Sequence, residues 1–243
     1  MLNKLITRSI VIAGVAVAAI ATPGQAGIID SKTDTLEPFD KGGNLDGGTI
    51  TEVTSPARAG GKAFRHYIPT SGKRAEISFD RTKIGETYWL GWSLYFPKNF
   101  NPEGRTNIVS QWAAYPSSRN GNFACGGNGH KLTANGNKFE YDLQFQPNEC
   151  IEYDLGAVSK ERWVDFVMHV KWTGNKDGFL YLWKDGVQVI SYNGPTWYND
   201  EGDGPYFKMG AYKGSSGKGA DFELFTDEYR LGDSSSSMGQ VTP

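Results

Sequence analysis

The stretch Tyr206-Phe207-Lys208-Met209-Gly210-Ala211-Tyr212 reads as a strand with two unlike faces. Successive side chains of a strand point to opposite sides. Phe207, Met209 and Ala211 make one side apolar, so that side must be buried against a second layer. Tyr206, Lys208, Gly210 and Tyr212 make the other. Two phenols and an ammonium around a glycine gap suit a surface that meets a ligand. A solvated outer face with cross-strand aromatic pairs explains the same pattern equally well.

The pattern recurs along the chain. Strand signals run over residues 62–68, 74–79, 87–96, 106–112, 138–146, 163–172, 178–184, 187–192, 205–213 and 221–231, bounded by Gly, Pro, Asn and Asp. Asp185-Gly186 marks a tight hairpin. Residues 27–48 are polar and glycine-rich and read as an ordered arm or a first edge strand. Neither a helix-period segment nor an internal repeat stands out. This succession without a linker predicts one all-β domain over residues 27–243. Its expected architecture is a β-jelly roll, a two-sheet antiparallel sandwich with a substrate cleft. The serine-rich residues 234–243 are expected to fray.

Composition agrees. Of 243 residues 31 are glycine and 13% are aromatic, which disfavours a helical bundle. A formal charge of -2 argues against a nonspecific nucleic-acid binder.

Residues 1–26 carry Lys4 and Arg8, then an apolar run from Ile10 to Ile20, then Gly24-Gln25-Ala26. That order predicts a secretory signal peptide cleaved after Ala26, hence a secreted or periplasmic protein with no membrane association afterwards. Cleavage removes two basic residues and no acid. The mature chain keeps 23 basic against 27 acidic residues, a net of -4. A polyanionic ligand would therefore need a locally basic site. Export also suggests that Cys125 and Cys150 form a disulfide. Closing a loop of that size stabilises by about 3 kcal/mol in the chain-entropy model.

Other strands offer polar faces. Arg74, Glu76 and Ser78 face away from Ala75, Ile77 and Phe79, and an ordinary surface ion pair would explain Arg74 and Glu76. Asn107 and Gln111 share a face with Val109. Glu140, Asp142, Gln144 and Gln146 line one side of residues 138–146. Three histidines are present. His130 follows Gly126-Gly127-Asn128-Gly129, a predicted loop, and loops on rigid scaffolds often carry function.

Three segments together resemble known enzymes. Residues 206–212 resemble the Y-F-K-x-G-x-Y strand of jelly-roll alginate lyases and the related glucuronan lyases. Arg74-Ala75-Glu76-Ile77 resembles their R-x-E-[LV] strand, and Ser110-Gln111-Trp112 resembles their glutamine-bearing strand, often Q-I-H. Tyr88 to Pro97 and Asp227 to Gly232 look more like the glucuronan and heparin lyase branch. The motifs keep the family order over roughly residues 60–232. Two positions depart: Ala113 stands where Q-I-H has its histidine, and Lys73 precedes Arg74 where a histidine is expected in glucuronan lyases.

The resemblance implies β-elimination on a 4-linked polyuronate, with glucuronan favoured and alginate second. Such cleavage needs neutralisation of the carboxylate, a base at C5 and an acid at O4. The implied catalytic residues are Tyr212 as acid, or as both acid and base, Gln111 and Arg74 on the carboxylate, and His130 as the neutral base. Lys208 and Tyr206 would line the substrate site, and Lys73 is a weaker base candidate. A structural calcium ion is plausible with Asp227 and Asp40 as ligands, and no organic cofactor is expected. The implied partner is an acidic polysaccharide substrate, and the protein is expected to be a monomer.

Two other readings compete. A jelly-roll glycoside hydrolase needs carboxylates at set separation, and Glu149-Cys150-Ile151-Glu152-Tyr153-Asp154 lacks the E-x-D-x-x-E spacing. A noncatalytic carbohydrate-binding module would use the seven tryptophans but would not need Tyr212 and Lys208 beside Arg74 and Gln111.

Overall fold

The computed structural model describes residues 27–35, 44–100, 106–113, 125, 129–146, 149–198, 203–214 and 220–243. The proposed signal peptide and Asp40 lie outside the described residues. Among the described residues fifteen strands form two antiparallel sheets. The strands are β1 (Ile28–Lys32), β2 (Asn44–Asp46), β3 (Thr49–Val53), β4 (Ala63–Ile68), β5 (Arg74–Lys83), β6 (Thr87–Tyr95), β7 (Asn107–Ala113) and β8 (Gly129–Asn135). They continue with β9 (Lys138–Gln146), β10 (Glu149–Ala157), β11 (Trp163–Lys171), β12 (Phe179–Lys184), β13 (Val187–Asn193), β14 (Asp203–Lys213) and β15 (Phe222–Gly232). One sheet has the order β13-β12-β11-β6-β15-β4-β3, with β1 also pairing β15; the other is β10-β9-β8-β7-β14-β5-β2.

The sheets meet through aromatic side chains. Trp92 of β6 and Phe166 of β11 come from one sheet; Trp112 of β7 and Phe207 of β14 come from the other. Trp92 lies 5.5 Å from Trp112 edge-on, 5.3 Å from Phe166 and 5.3 Å from Phe207. All four are buried. Such pairs add about 0.5–1.5 kcal/mol each beyond burial of area. The expected apolar side of residues 206–212, with Phe207, Met209 and Ala211, is this core.

His66 ties the two sheets at a second point. Its Nδ1 lies 2.9 Å from the Ala75 carbonyl oxygen of the opposite sheet, and its Nε2 lies 2.8 Å from Thr226 Oγ1. A carbonyl only accepts, so Nδ1 carries the proton and the threonine hydroxyl donates. Burial holds this imidazole down at about 4. The same contact explains Gly210. A Cβ built there would lie 2.5 Å from His66 Nδ1 and 2.4 Å from the Ala75 oxygen, at a φ of +131. The glycine gap in β14 is therefore imposed by the core behind it, and the ligand-facing explanation of it is corrected.

Three further expectations change. Residues 129–135 are strand β8, not loop, so His130 is a strand residue. A register shift between Ile108 and Ser110 turns Val109 into the core, so it does not share a face with Gln111. Residues 234–243 are not frayed: they include the helix α1 (Met238–Val241), and Val241 is fully buried. Gly91 in the middle of β6 makes this possible, because a Cβ there would meet the Val241 oxygen at 1.8 Å. Among the described residues no helix is long and apolar enough to cross a membrane.

Candidate active site

Strand register assembles the site on the outer face of the seven-stranded sheet. One cross-strand row reads Glu152, Asp142, Lys131, Gln111, Lys208 and Ser78, each opposite the next. Beside it Tyr212 of β14 lies between Ile108 of β7 and Arg74 of β5. Segments far apart in sequence thus place Arg74, Gln111, Lys208 and Tyr212 on one face of three adjacent strands.

Glu76 stands at the centre. Its Oε1 accepts from Gln111 Nε2 at 2.5 Å, and its Oε2 lies 3.1 Å from Arg74 Nε. Only 1% of it is exposed. Burial pushes this carboxyl up; Lys208, Arg74 and the Gln111 hydrogen bond pull it back. Lys208 is nearly as buried, and its ammonium is pushed down chiefly by that burial, against the pull of Glu76. Burying charge is costly unless it is matched by opposite charge or hydrogen bonds. Glu76 meets Arg74 and Gln111 directly and faces the charge of Lys208, which meets that condition.

Tyr212 sits among cations. The Arg74 guanidinium carbon lies 4.1 Å from its ring centroid and Lys73 Nζ lies 5.9 Å from it. Tyr206 is flanked by Lys208 Nζ at 5.2 Å and the Arg81 guanidinium at 5.4 Å. The basic, phenol-bearing half of the face is therefore β5 and β14. The other half is acidic. Lys131 Nζ pairs with Asp142 at 3.1 Å, and Lys138 pairs with Glu140 and Asp154. Cys125 reaches this half through its disulfide to Cys150 of β10, and Lys131 donates to its carbonyl oxygen.

His130 does not join the site. It points into the core, fully buried, with Nδ1 2.9 Å from the Tyr141 hydroxyl and its ring against Trp172 and Trp197. In β8 it alternates with Lys131, so one of them faces the core and the other the site. Burial holds the His130 imidazole down at about 3. The expectation of His130 as the base is corrected for that reason. The sequence signal that could have found Lys131 is the alternation of His130, Leu132 and Ala134 against Lys131, Thr133 and Asn135.

Asp227 does not fit a calcium site as described. Its Oδ2 accepts from the Arg58 main-chain N–H and its Oδ1 from that of Glu228, each at 2.8 Å. Burial pushes this carboxyl up to about 6. The neighbouring carboxylates are met by guanidinium groups: Asp165 by Arg58 at 2.9 Å and Glu228 by Arg230. Calcium takes six to eight oxygen ligands, and no such set of side-chain carboxylates gathers at Asp227 among the described residues. Among the described residues the acidic group with ligand spacing is Cys125, Asp142 and Glu152, on the seven-stranded sheet and away from Asp227. Its sulfur is tied in a disulfide and is no thiolate.

The chain and its fold have counterparts. A sequence model described as polysaccharide lyase matches residues 31–230. A sequence search of curated proteins finds no match. The fold is similar to the endo-β-1,4-glucuronan lyase of the fungus Trichoderma reesei, with TM-score 0.72 and 19% identity over 89% of this chain and 98% of that one. It is also similar to the alginate lyase of Aplysia kurodai, with TM-score 0.58 and 13% identity over 84% and 98% of the two chains. A third similar structure is the alginate lyase of a Chlorella virus, with TM-score 0.53 and 10% identity over 79% and 93%. With a family model covering most of its length and a jelly roll in common with these enzymes, the chain belongs to the polysaccharide lyase family.

Proposed function

We propose that this protein is a secreted lyase that cleaves a 4-linked polyuronate by β-elimination, with glucuronan as its substrate. The observation that carries the reading is the cluster of Arg74, Gln111, Lys208 and Tyr212 around buried Glu76. Arg74 and Gln111 bind the uronate carboxylate and offset the charge that develops as C5 loses its proton. With His130 in the core, one group serves both proton steps. The Tyr212 oxygen takes the C5 proton; the C4–O bond to the neighbouring sugar then breaks, C4 and C5 become doubly bonded, and the departing oxygen receives the proton from Tyr212. Arg74 and Lys73 beside the Tyr212 ring offset negative charge on that oxygen. Lys208 and Tyr206 hold the adjoining sugar. No organic cofactor or metal step enters.

Glucuronan is placed before alginate because the fold matches the Trichoderma reesei enzyme over nearly its whole length, and the Asp227 to Gly232 strand looks like that branch. Export rests on the basic start, the apolar run and the small residues before Ala26, together with a disulfide that suits an oxidising compartment. The test is ultraviolet absorbance of new C4–C5 double bonds on glucuronan, polymannuronate, polyguluronate and heparin. A rise on glucuronan supports the reading. A rise confined to another polymer overturns the substrate, and binding without any rise overturns the lyase reading in favour of a binding module.

A further inference from the structure

We infer that Glu76 is a positioning residue: it orients Gln111 and Arg74 for catalysis and lowers the positive charge of the site. The inference rests on the lyase reading and adds a role to a residue that touches no substrate.

Glu76 is the most deeply buried charge on the face, at 1% exposure, and it lies beneath the groups that would grip an anion. A carboxylate there opposes binding of another carboxylate, so affinity alone does not explain it. Its contacts do. The bond from Gln111 Nε2 fixes one amide hydrogen on Glu76 and leaves the second to be aimed outward. Its other oxygen lies 3.1 Å from Arg74 Nε, an ion pair without hydrogen-bond geometry that draws this edge of the guanidinium inward and leaves the terminal nitrogens for a ligand, while the guanidinium carbon lies 4.1 Å from the Tyr212 ring centroid. One buried oxygen pair therefore fixes the direction of both groups relative to the phenol. A displacement of about 1 Å in such a constellation costs on the order of 100-fold in rate.

The charge count points the same way. Arg74, Lys73 and Lys208 bring positive charge to the face around Tyr212, and Glu76 is the carboxylate set among them, so it trims the surplus that would hold an anion. Without Glu76 the group would hold an anion more strongly while losing its orientation, and the two effects pull binding and turnover apart.

The test uses the mature protein, with wild type, Glu76→Gln, Glu76→Asp, Gln111→Ala and the Glu76→Gln/Gln111→Ala pair. Turnover is read on glucuronan by ultraviolet absorbance and binding by calorimetry with a saturated tetraglucuronate. For Glu76→Gln the expected result is kcat lower by about 100-fold with Kd tightened by roughly fivefold. Glu76→Asp keeps the charge and shortens the reach, so kcat falls while Kd stays near wild type. The double variant should fall by less than the product of the two single losses, because part of the Glu76 effect acts through Gln111 and the rest through Arg74. If Glu76→Gln does not fold, the same cycle is run with Glu76→Asp. Unchanged kcat in Glu76→Gln, kcat and Kd that weaken together, or additive losses in the cycle overturn the inference while leaving the lyase reading standing. A wild-type protein with no turnover on any polymer overturns both.

Discussion

The two sheets both turn polar and aromatic side chains away from the core, yet they treat them differently. On the eight-stranded sheet, the rings of Trp89 and His169 lie 3.9 Å apart and nearly parallel, so each ring covers a face of the other. Lys171 there pairs with Asp177 at side-chain exposures of 26% and 59%. On the seven-stranded sheet, Glu76 and Lys208 are almost wholly buried, and the charged groups around them converge. Solvated pairs are inexpensive to make and contribute little. Buried charges that remain ionised require a surrounding built for them, and that expense points to function. Burial alone does not mark a site, because Asp227 and Glu228 on β15 of the eight-stranded sheet are buried too; there main-chain N–H groups and Arg230 meet them.

Substitutions can break or sharpen that contrast. Arg74→Ala should have the largest effect, lowering kcat/KM by about 10²–10³-fold as a charged donor leaves the carboxylate; steady-state kinetics on glucuronan check it. His130→Phe comes next and affects stability, not turnover. It leaves the buried Tyr141 hydroxyl without its partner, at about 1–3 kcal/mol, measurable by urea unfolding at pH 7.

The same variant tests a pH effect. His130 is held at about 3 in the folded protein, below the ~6.5 of an unfolded chain. Between those values the unfolded chain binds a proton that the folded one refuses. This contribution to stability is therefore full above about pH 6.5 and shrinks as pH falls. His66, at about 4, acts in the same sense. Asp227, at about 6, acts oppositely: its folded form keeps a proton that the unfolded chain releases, so its contribution is lost as pH rises through 6. Melting curves from pH 7 to 4 should be flatter for His130→Phe than for wild type. The smallest effect is expected of Lys171→Ala on the opposite sheet, where turnover and melting temperature should match wild type.

Much of this was legible in the strands. The apolar side of residues 206–212 identified the core, and residues 138–146 form a strand with the expected bounds. Register was the missing information. Alternation assigns Glu76 to a face, but only the pairing of β5, β14 and β7 shows Arg74, Lys208 and Gln111 converging on it. Val109 was misassigned because a β-bulge reverses the alternation within β7, and no local residue announces it. A glycine-rich run precedes His130 and hides the start of β8, and with it the alternation that places Lys131 on the outer face. Nothing local in β6 or β14 explains Gly91 or Gly210. Their reasons lie in distant chain segments, the Val241 carbonyl and the His66 ring.

The central claim is that the outer face around Tyr212 performs elimination and does not merely hold a glycan. Tyr212→Phe removes one oxygen and keeps the ring that Arg74 and Lys73 flank. Turnover on glucuronan and binding of a saturated tetraglucuronate, measured on the same preparation, test the claim most directly. The account predicts turnover lower by at least about 10²-fold with Kd close to wild type. Turnover retained at the wild-type rate would contradict it, and would move the proton transfers away from Tyr212.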